Sequence, residues 1–248
     1  MRRPGSTEPA VGGRRPVAEA IRSGRARRVL VARGAHGTEG LRSLLTEAER
    51  AGIPVEWVET SKVASLVPHE HQGVAAMVAL PGELDHGALA SFSFEPGAVV
   101  VVLDGITDPQ NLGACARSAE TAGAAMLVTR KHRAAPMSAS ALRASAGALF
   151  HLPVARVANI SRALEMLRGR GFTVIGLDHR APSDIHGAPS PPRPLALVVG
   201  AEDVGLSRLV REACDELVAI PLAGRTSSLN ASAALAVALF GYALRPQG

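Results

Sequence analysis

The chain has 248 residues, 47% of them hydrophobic and 20% charged, with a formal charge of +5. That is the profile of a folded chain with an ample core, as one large domain or two small ones. No apolar run approaches the roughly 18 residues of a membrane helix, Met1-Arg2-Arg3-Pro4 opens no apolar signal core, and two distant cysteines, Cys115 and Cys214, exclude a disulfide scaffold or CxxC zinc site. A reducing cytoplasm is the expected setting.

Charge is uneven along the chain. Residues 1–33 hold nine arginines against Glu8 and Glu19, a local +7. Such asymmetry points to a polyanion partner, with a merely solvated tail as the competing reading. Seven aromatic residues are too few for a base-stacking surface.

Residues 1–15 mix Gly, Pro, Ser and Arg without periodicity and read as a disordered basic arm. From Pro16 the pattern changes to an α/β module ending near residue 80. Val17, Ala20 and Ile21 have helical spacing, Arg28–Ala32 reads as a strand, and residues 38–51 place Leu41, Leu44, Leu45 and Ala48 on one helix face. A strand at 55–58, a short helix at 61–66 and a strand at 74–80 complete it. Residues 81–97, rich in Gly, Pro and Ser, read as a linker.

A longer alternation fills residues 98–248. Strands are expected at 98–103, 124–128, 173–177, 195–199 and 217–220, and helices at 112–122, 138–148, 160–169, 206–213 and 230–244. Nearly continuous apolar strands between helices imply a parallel sheet covered on both faces. Residues 181–194 read as a proline-rich surface loop.

Common nucleotide and hydrolase signatures are missing: no GxGxxG follows the first strand of this second domain, and the chain has no GxxxxGK[ST] and no GxSxG. His69-Glu70-His71 has no third ligand cluster to go with it, so no metal is expected. Polar residues gather instead where three strands end and helices begin, which is where open α/β sheets bind ligands. The segments are DPQNLGACARSA (108–119), LVVGAEDVGLS (197–207) and IPLAGRTSSLNAS (220–232). In the first, Asn111 is placed to cap a helix that carries Arg117. Read singly, each segment is also an ordinary capping loop.

Taken in order, these segments resemble motifs 1, 2 and 3 of the SpoU/TrmH class of SPOUT RNA ribose 2′-O-methyltransferases, over essentially 98–244. Upstream, GRRPVAEAIRSGRARRVLVARG and HEHQGVAAMV resemble the small substrate-binding domain of the 23S rRNA members. The resemblance implies an α/β SPOUT domain whose parallel sheet ends in a deep trefoil knot, preceded by a small α/β RNA-binding domain resembling ribosomal protein L30e. It implies S-adenosylmethionine held by Gly200, Ile220 and Leu229, with Leu177, Ala201 and Ser228 completing the pocket.

Arg117 matches the family's catalytic arginine. A guanidinium rarely gives up a proton, so phosphate binding or alkoxide stabilisation is the preferred role, with proton acceptance left open. Asn111, Glu202, Ser228 and Asn230 match the other polar positions. Asn111 and Asn230 are expected to hold ribose and loop geometry, Ser228 to contact RNA or cofactor, and Glu202 to orient Arg117 or Asn111. Arg14, Arg15, Arg25, Arg27 and Arg28, with Arg117, are the expected RNA contacts. Asp203 stands where the family commonly has glycine, a change that bears on the turn although Asp tolerates left-handed geometry better than most residues, and Ala201 replaces a residue that is often polar. A homodimer is implied, with the site completed across the interface and the apolar last helix as a packing surface. The implied substrate is a guanosine ribose near the peptidyl-transferase centre of 23S rRNA. Alternatives are a tRNA ribose methyltransferase, an antibiotic-resistance 23S rRNA methyltransferase, a non-catalytic RNA-binding assembly factor and a generic Rossmann oxidoreductase.

Overall fold

The computed structural model describes residues 8–35, 37–68, 71–226 and 228–245. Two compact units emerge, one running to residue 81 and also holding 137–151, the other holding 82–136 and everything from 152. Residues 1–7 of the expected arm, His69 and Glu70 lie outside the described residues.

The first unit is built from β1 (Ala10–Gly12), α1 (Arg14–Arg22), β2 (Ala26–Ala32), α2 (Glu39–Arg50), β3 (Val55–Val58), α3 (Thr60–Leu66) and β4 (Val74–Val78). Its sheet has the order β1-β4-β2-β3, with β4 antiparallel to both neighbours and β2 parallel to β3. Val17, Ala20 and Ile21 of α1 and Leu41, Leu44 and Ala48 of α2 are buried, as their spacing predicts. Leu30, Ala32, Ala75 and Met77 pack with Val63 and Val67 in a separate cluster.

The arm reading fails for its last part. Ala10, Val11 and Gly12 pair with Met77, Ala76 and Ala75, and α1 already begins at Arg14. Three residues carry no periodicity, and their partners lie more than sixty positions away. Gly12 also lies so close to α3 that an added Cβ would sit 2.6 Å from Val67 Cγ1.

In the second unit the reading of 81–97 as a linker is also overturned. Glu83–Leu84 form β5 and His86–Ser91 form α4. Asp85 caps α4 by accepting a hydrogen bond from the Ala88 N–H at 2.8 Å. Leu89 is fully buried, and Phe94 stacks between Phe92 and Phe172, with centroids 4.9 and 5.0 Å away. Arg170 donates to the carbonyls of Leu89, Ala90 and Phe92, closing the end of the helix. Gly, Pro and Ser are frequent here, but the three-ring cluster determines the packing.

The chain continues through β6 (Val99–Asp104), α5 (Pro109–Thr121) and β7 (Met126–Arg130). Residues 137–151 then join the first unit, where α6 (Ala139–Ala144) packs on β1 and a 3-10 turn at Ala148–Phe150 packs on α1. Gly147 permits this approach: its φ is +97°, and a Cβ there would lie 2.4 Å from Glu19 Cβ. Glu19 pairs with His151 at 2.9 Å and with Arg22 at 2.8 Å.

There follow β8 (Val154–Val157), α7 (Ile160–Gly169), β9 (Thr173–Leu177), β10 (Ser183–Asp184), β11 (Leu195–Gly200), α8 (Arg208–Glu212), β12 (Glu216–Ala219) and α9 (Ala231–Ala238), which runs into a π-helical turn at Leu239–Ala243. The sheet order is β10-β12-β9-β11-β6-β7-β8-β5, and every pairing is parallel. Four consecutive valines, Val99–Val102, are buried at its centre, consistent with helices on both faces. Sequence reading missed β8, too short to show a period, and β10, inside the proline-rich loop.

Among the described residues no helix is long and apolar enough to cross a membrane.

Candidate functional site

The strand ends create the site. Each parallel strand leaves the sheet at its carboxyl end with unpaired backbone groups, and β9, β11 and β12 are neighbours there across β9. Leu177 and Asp178 follow from β9, Gly200, Ala201 and Glu202 from β11, and Ile220 from β12. With Ser228 and Leu229, just before α9, they line one pocket open to solvent. The six positions expected to hold a cofactor (Leu177, Gly200, Ala201, Ile220, Ser228 and Leu229) therefore meet around a single space.

A tight turn shapes its wall. The Gly205 N–H donates to the Ala201 carbonyl at 2.7 Å, and the turn folds directly over Gly200. Gly205 takes the left-handed backbone, with φ +70°, while Asp203 is absent from the positive-φ residues. Asp203 therefore needs no left-handed backbone in this turn, because the glycine two places later takes that angle.

Polar residues of the three motifs converge beside this pocket. Asn230 Nδ2 donates to Asn111 Oδ1 at 2.9 Å and to Glu202 Oε2 at 3.2 Å. Its own Oδ1 accepts from the Ser232 N–H at 3.0 Å and the Ser232 hydroxyl at 2.6 Å, capping α9. Asn230 is therefore a hub, fixed by its own helix and reaching two other motifs. Glu202 meets Asn111 through it, and among the described residues no bond joins Glu202 to Arg117. Asn111 is not a cap either. Asp108 accepts from the Gln110 N–H at 3.0 Å, and Pro109 takes the first helical position, which frees Asn111 to point at Asn230.

Arg117 stands apart from this cluster. It is exposed on α5 and has no hydrogen bond or ion pair among the described residues. Six residues along a helix amount to about 9 Å of rise and a turn of about 240°, so Arg117 does not share a face with Asn111. Of the basic residues in the first unit, Arg28 is paired with Glu56 at 3.3 Å, Arg14 and Arg25 are half-buried, and Arg15 and Arg27 are exposed.

Several residues at the site escaped sequence reading. Asp104, at the end of β6, is 2% exposed. Its Oδ1 accepts from Arg130 Nη2 at 2.6 Å and Nε at 3.1 Å, and its Oδ2 accepts from the Ser207 N–H at 2.8 Å. The carboxylate thus ties β6 and β7 to the end of the second motif. A run of four valines and a leucine ending in Asp is the signal that could have flagged it, because a buried carboxylate must be paired. Replacing Asp104 by asparagine keeps the shape and removes the charge. A loss of about 2 kcal/mol is expected, seen as a Tm lowered by about 4–8 °C in calorimetry. An unchanged Tm would show that the pair holds nothing together.

Asp178, also buried, accepts from the Arg180 N–H at 2.9 Å and is paired with Arg211, so it brings a fixed negative charge to the pocket wall. Cys115 and Cys214 are free, and burial pushes both thiols up to about 12. Neither supplies a thiolate near neutral pH. No group of His, Cys, Asp and Glu among the described residues is arranged to hold a metal ion.

The family description "SpoU rRNA Methylase family" matches residues 98–240, and "RNA 2'-O ribose methyltransferase substrate binding" matches residues 10–83. An uncharacterized tRNA/rRNA methyltransferase of Mycobacterium ulcerans is 41% identical over 237 residues, covering 92% of this chain and 74% of the relative. The crystal structure of an RNA 2′-O ribose methyltransferase superposes with a TM-score of 0.80 at 26% identity, covering 94% of this chain and 86% of that one. The SpoU methyltransferase AviRb of Streptomyces viridochromogenes, in complex with the cofactor AdoMet, gives 0.74 at 28% identity, covering 94% and 88%.

Proposed function

The chain belongs to the SpoU rRNA methylase family and is an S-adenosylmethionine-dependent RNA methyltransferase, and from that premise we propose that its target is a ribose 2′-oxygen of 23S rRNA, at a guanosine near the peptidyl-transferase centre. The observation that carries the reading is the meeting of three motifs, up to 119 residues apart, in one hydrogen-bonded cluster beside one pocket. The substrate-binding match over residues 10–83 supports RNA ribose as the target, and the rRNA methylase description over 98–240 supports ribosomal RNA.

The pocket residues suit the cofactor chemically. Gly200 lets the turn backbone at Gly205 and Leu206 close directly over it, where a Cβ would clash, so this wall of the pocket presents backbone, and backbone donors and acceptors are what an adenine edge requires. Asp178 and Glu202 add negative charge to the same wall, which favours a cationic sulfonium and ammonium. The bound group supplies an electrophilic methyl carbon. This chain's residues align the attacking oxygen: Asn230 holds Asn111 and Glu202 in register, Ser228 lines the pocket, and Arg117 stabilises charge on the 2′-oxygen as its proton passes to solvent water.

We assign the active species to a homodimer. α9 packs on α5 and β11 along one side, while Ala233, Val237 and Phe240 are exposed on the other, at helical spacing, with Val237 at 41% and Phe240 at 52%. A second copy would cover that stripe. Because Arg117 is remote from its own cluster, we assign it to the site of the partner copy. A trefoil knot formed as the chain passes from β12 to α9 belongs to the same reading. Arg15 and Arg27 of the first unit would meet RNA phosphates, giving salt-dependent affinity. The reaction is assigned to the cytoplasm, with the two thiols reduced.

The test is incubation with labelled S-adenosylmethionine and, separately, unmodified 23S rRNA and bulk tRNA, followed by nucleoside analysis. Label on a 23S ribose 2′-oxygen is expected. Label on tRNA alone would overturn the substrate and keep the chemistry. Cofactor binding without label on either RNA would overturn the assignment of free 23S rRNA as substrate.

A further inference from the structure

A second cavity, open to solvent, lies in the second unit at the carboxyl ends of β7 and β8. The segment 200–210 divides the two spaces. Its first half walls the cofactor pocket, and its second half, from Ser207 to Val210, walls this one. None of the residues lining it is acidic, and hydrogen-bond donors converge there.

Arg130 is the central group. Its Nε and Nη2 are fixed by buried Asp104, and Nη2 also reaches Ser207 Oγ at 3.3 Å. Nη1 has no partner among the described residues, and the side chain is 35% exposed. A guanidinium locked on one edge and open on the other is a preorganised anion donor, with its ordering entropy already spent in folding. Asn159 repeats the pattern. Its Oδ1 accepts from Ser161 Oγ at 2.7 Å and the Arg162 N–H at 3.2 Å, which leaves Nδ2 unpartnered. Arg208 adds an exposed cation tied only to Glu212 at 2.7 Å, and Leu209 presents an exposed apolar side chain, 53% accessible.

We propose that this cavity binds a nucleotide of the RNA chain flanking the one that is methylated. The phosphodiester sits on Arg130, Asn159 and Arg208, and the base lies against Leu209. The proposal rests on the RNA-methyltransferase reading and adds a substrate subsite to it. A rim rich in donors and free of carboxylates selects a phosphodiester. Its sharing of one wall with the cofactor pocket selects a ligand that extends from one space into the other, as a polynucleotide does and a small metabolite does not.

The experiment measures binding of an unstructured, fluorescein-labelled RNA 12-mer of mixed sequence to the full chain, across a series of KCl concentrations. S-adenosylmethionine affinity is measured separately by calorimetry. The double variant Arg208→Ala/Leu209→Ala changes only exposed side chains. It is expected to weaken RNA binding about tenfold and to shrink the slope of log K against log salt by about 0.7, the loss of one single-strand phosphate contact, with cofactor affinity unchanged. Arg130→Lys keeps the charge but loses the fork, and a similar weakening is expected at unchanged salt slope. RNA affinity and slope both unaltered in the double variant would overturn the subsite, whatever Arg130→Lys does. Absence of cofactor binding in the wild type would instead overturn the methyltransferase reading, so the two failures are distinguishable.

Discussion

Replacing Arg117 by alanine is expected to lower kcat for RNA methylation by about 10²–10³-fold, the usual consequence of removing a charge-stabilising group at a reacting oxygen, while S-adenosylmethionine binds as before. Arg117 is exposed and makes no bond within the described chain. Its loss should therefore leave Tm within the range of an ordinary surface change, about 0.5 kcal/mol. Stability and chemistry separate cleanly at this residue, which makes the variant informative. Arg117→Lys retains a cation without the planar fork, and an intermediate kcat is expected. If a role in holding RNA phosphate dominates, the loss appears in KM. If charge develops against Arg117 in the transition state, it appears in kcat. Equal loss of cofactor affinity would remove Arg117 from the substrate side altogether.

The part of the site that was legible in the sequence lies where function and local pattern coincide. Gly200 and Ile220 fall at or beside strand ends that apolar runs already mark, Glu202 and Asn230 sit in polar segments between strand and helix, and Leu229 and Asn111, in the loop before α9 and the first turn of α5, were singled out by the resemblance to the family's motifs. What stayed hidden depends on partners distant in sequence. Ala10–Gly12 and Glu83–Leu84 become strands only because β4 and β8 offer them an edge, and neither is long enough to show alternation. Asp104 and Arg130 look like ordinary strand-ending charges until adjacent parallel strands bring them within 2.6 Å. Asn111 was read as a cap because an Asn near a helix start usually is one. Two neighbours that fill the capping role better, Asp108 and Pro109, release it for the cluster. Local propensity identified the residue, and the competing local residues explain its actual use.

Gly200→Ala is expected to be the most damaging single-methyl change in the molecule's cofactor pocket. The added Cβ would lie 2.1 Å from Gly205 C, 2.3 Å from its carbonyl oxygen and 2.4 Å from Leu206 N. All three are backbone atoms of a closed turn, so no rotamer change relieves the clash, and the turn itself must open. Overpacking of this kind costs about 1–3 kcal/mol of stability, and because the turn is the pocket wall, cofactor affinity should fall by at least about 100-fold, or 2.7 kcal/mol. Gly205→Ala is the control. It meets nothing within 4 Å but must adopt φ +70°, a cost of about 1–2 kcal/mol without a clash that forces the turn open, so its cofactor affinity should change less. Cofactor binding by Gly200→Ala within threefold of wild type would refute the assignment of this turn to the pocket. The two variants also test the dimer together. If Arg117 serves the partner's site, a dimer of one Arg117→Ala chain and one Gly200→Ala chain retains one intact site, made from the first chain's pocket and the second chain's arginine. Random pairing of the two would then restore about a quarter of wild-type activity. If Arg117 serves its own pocket, every mixed site lacks one of the two groups and activity stays at the level of the single variants.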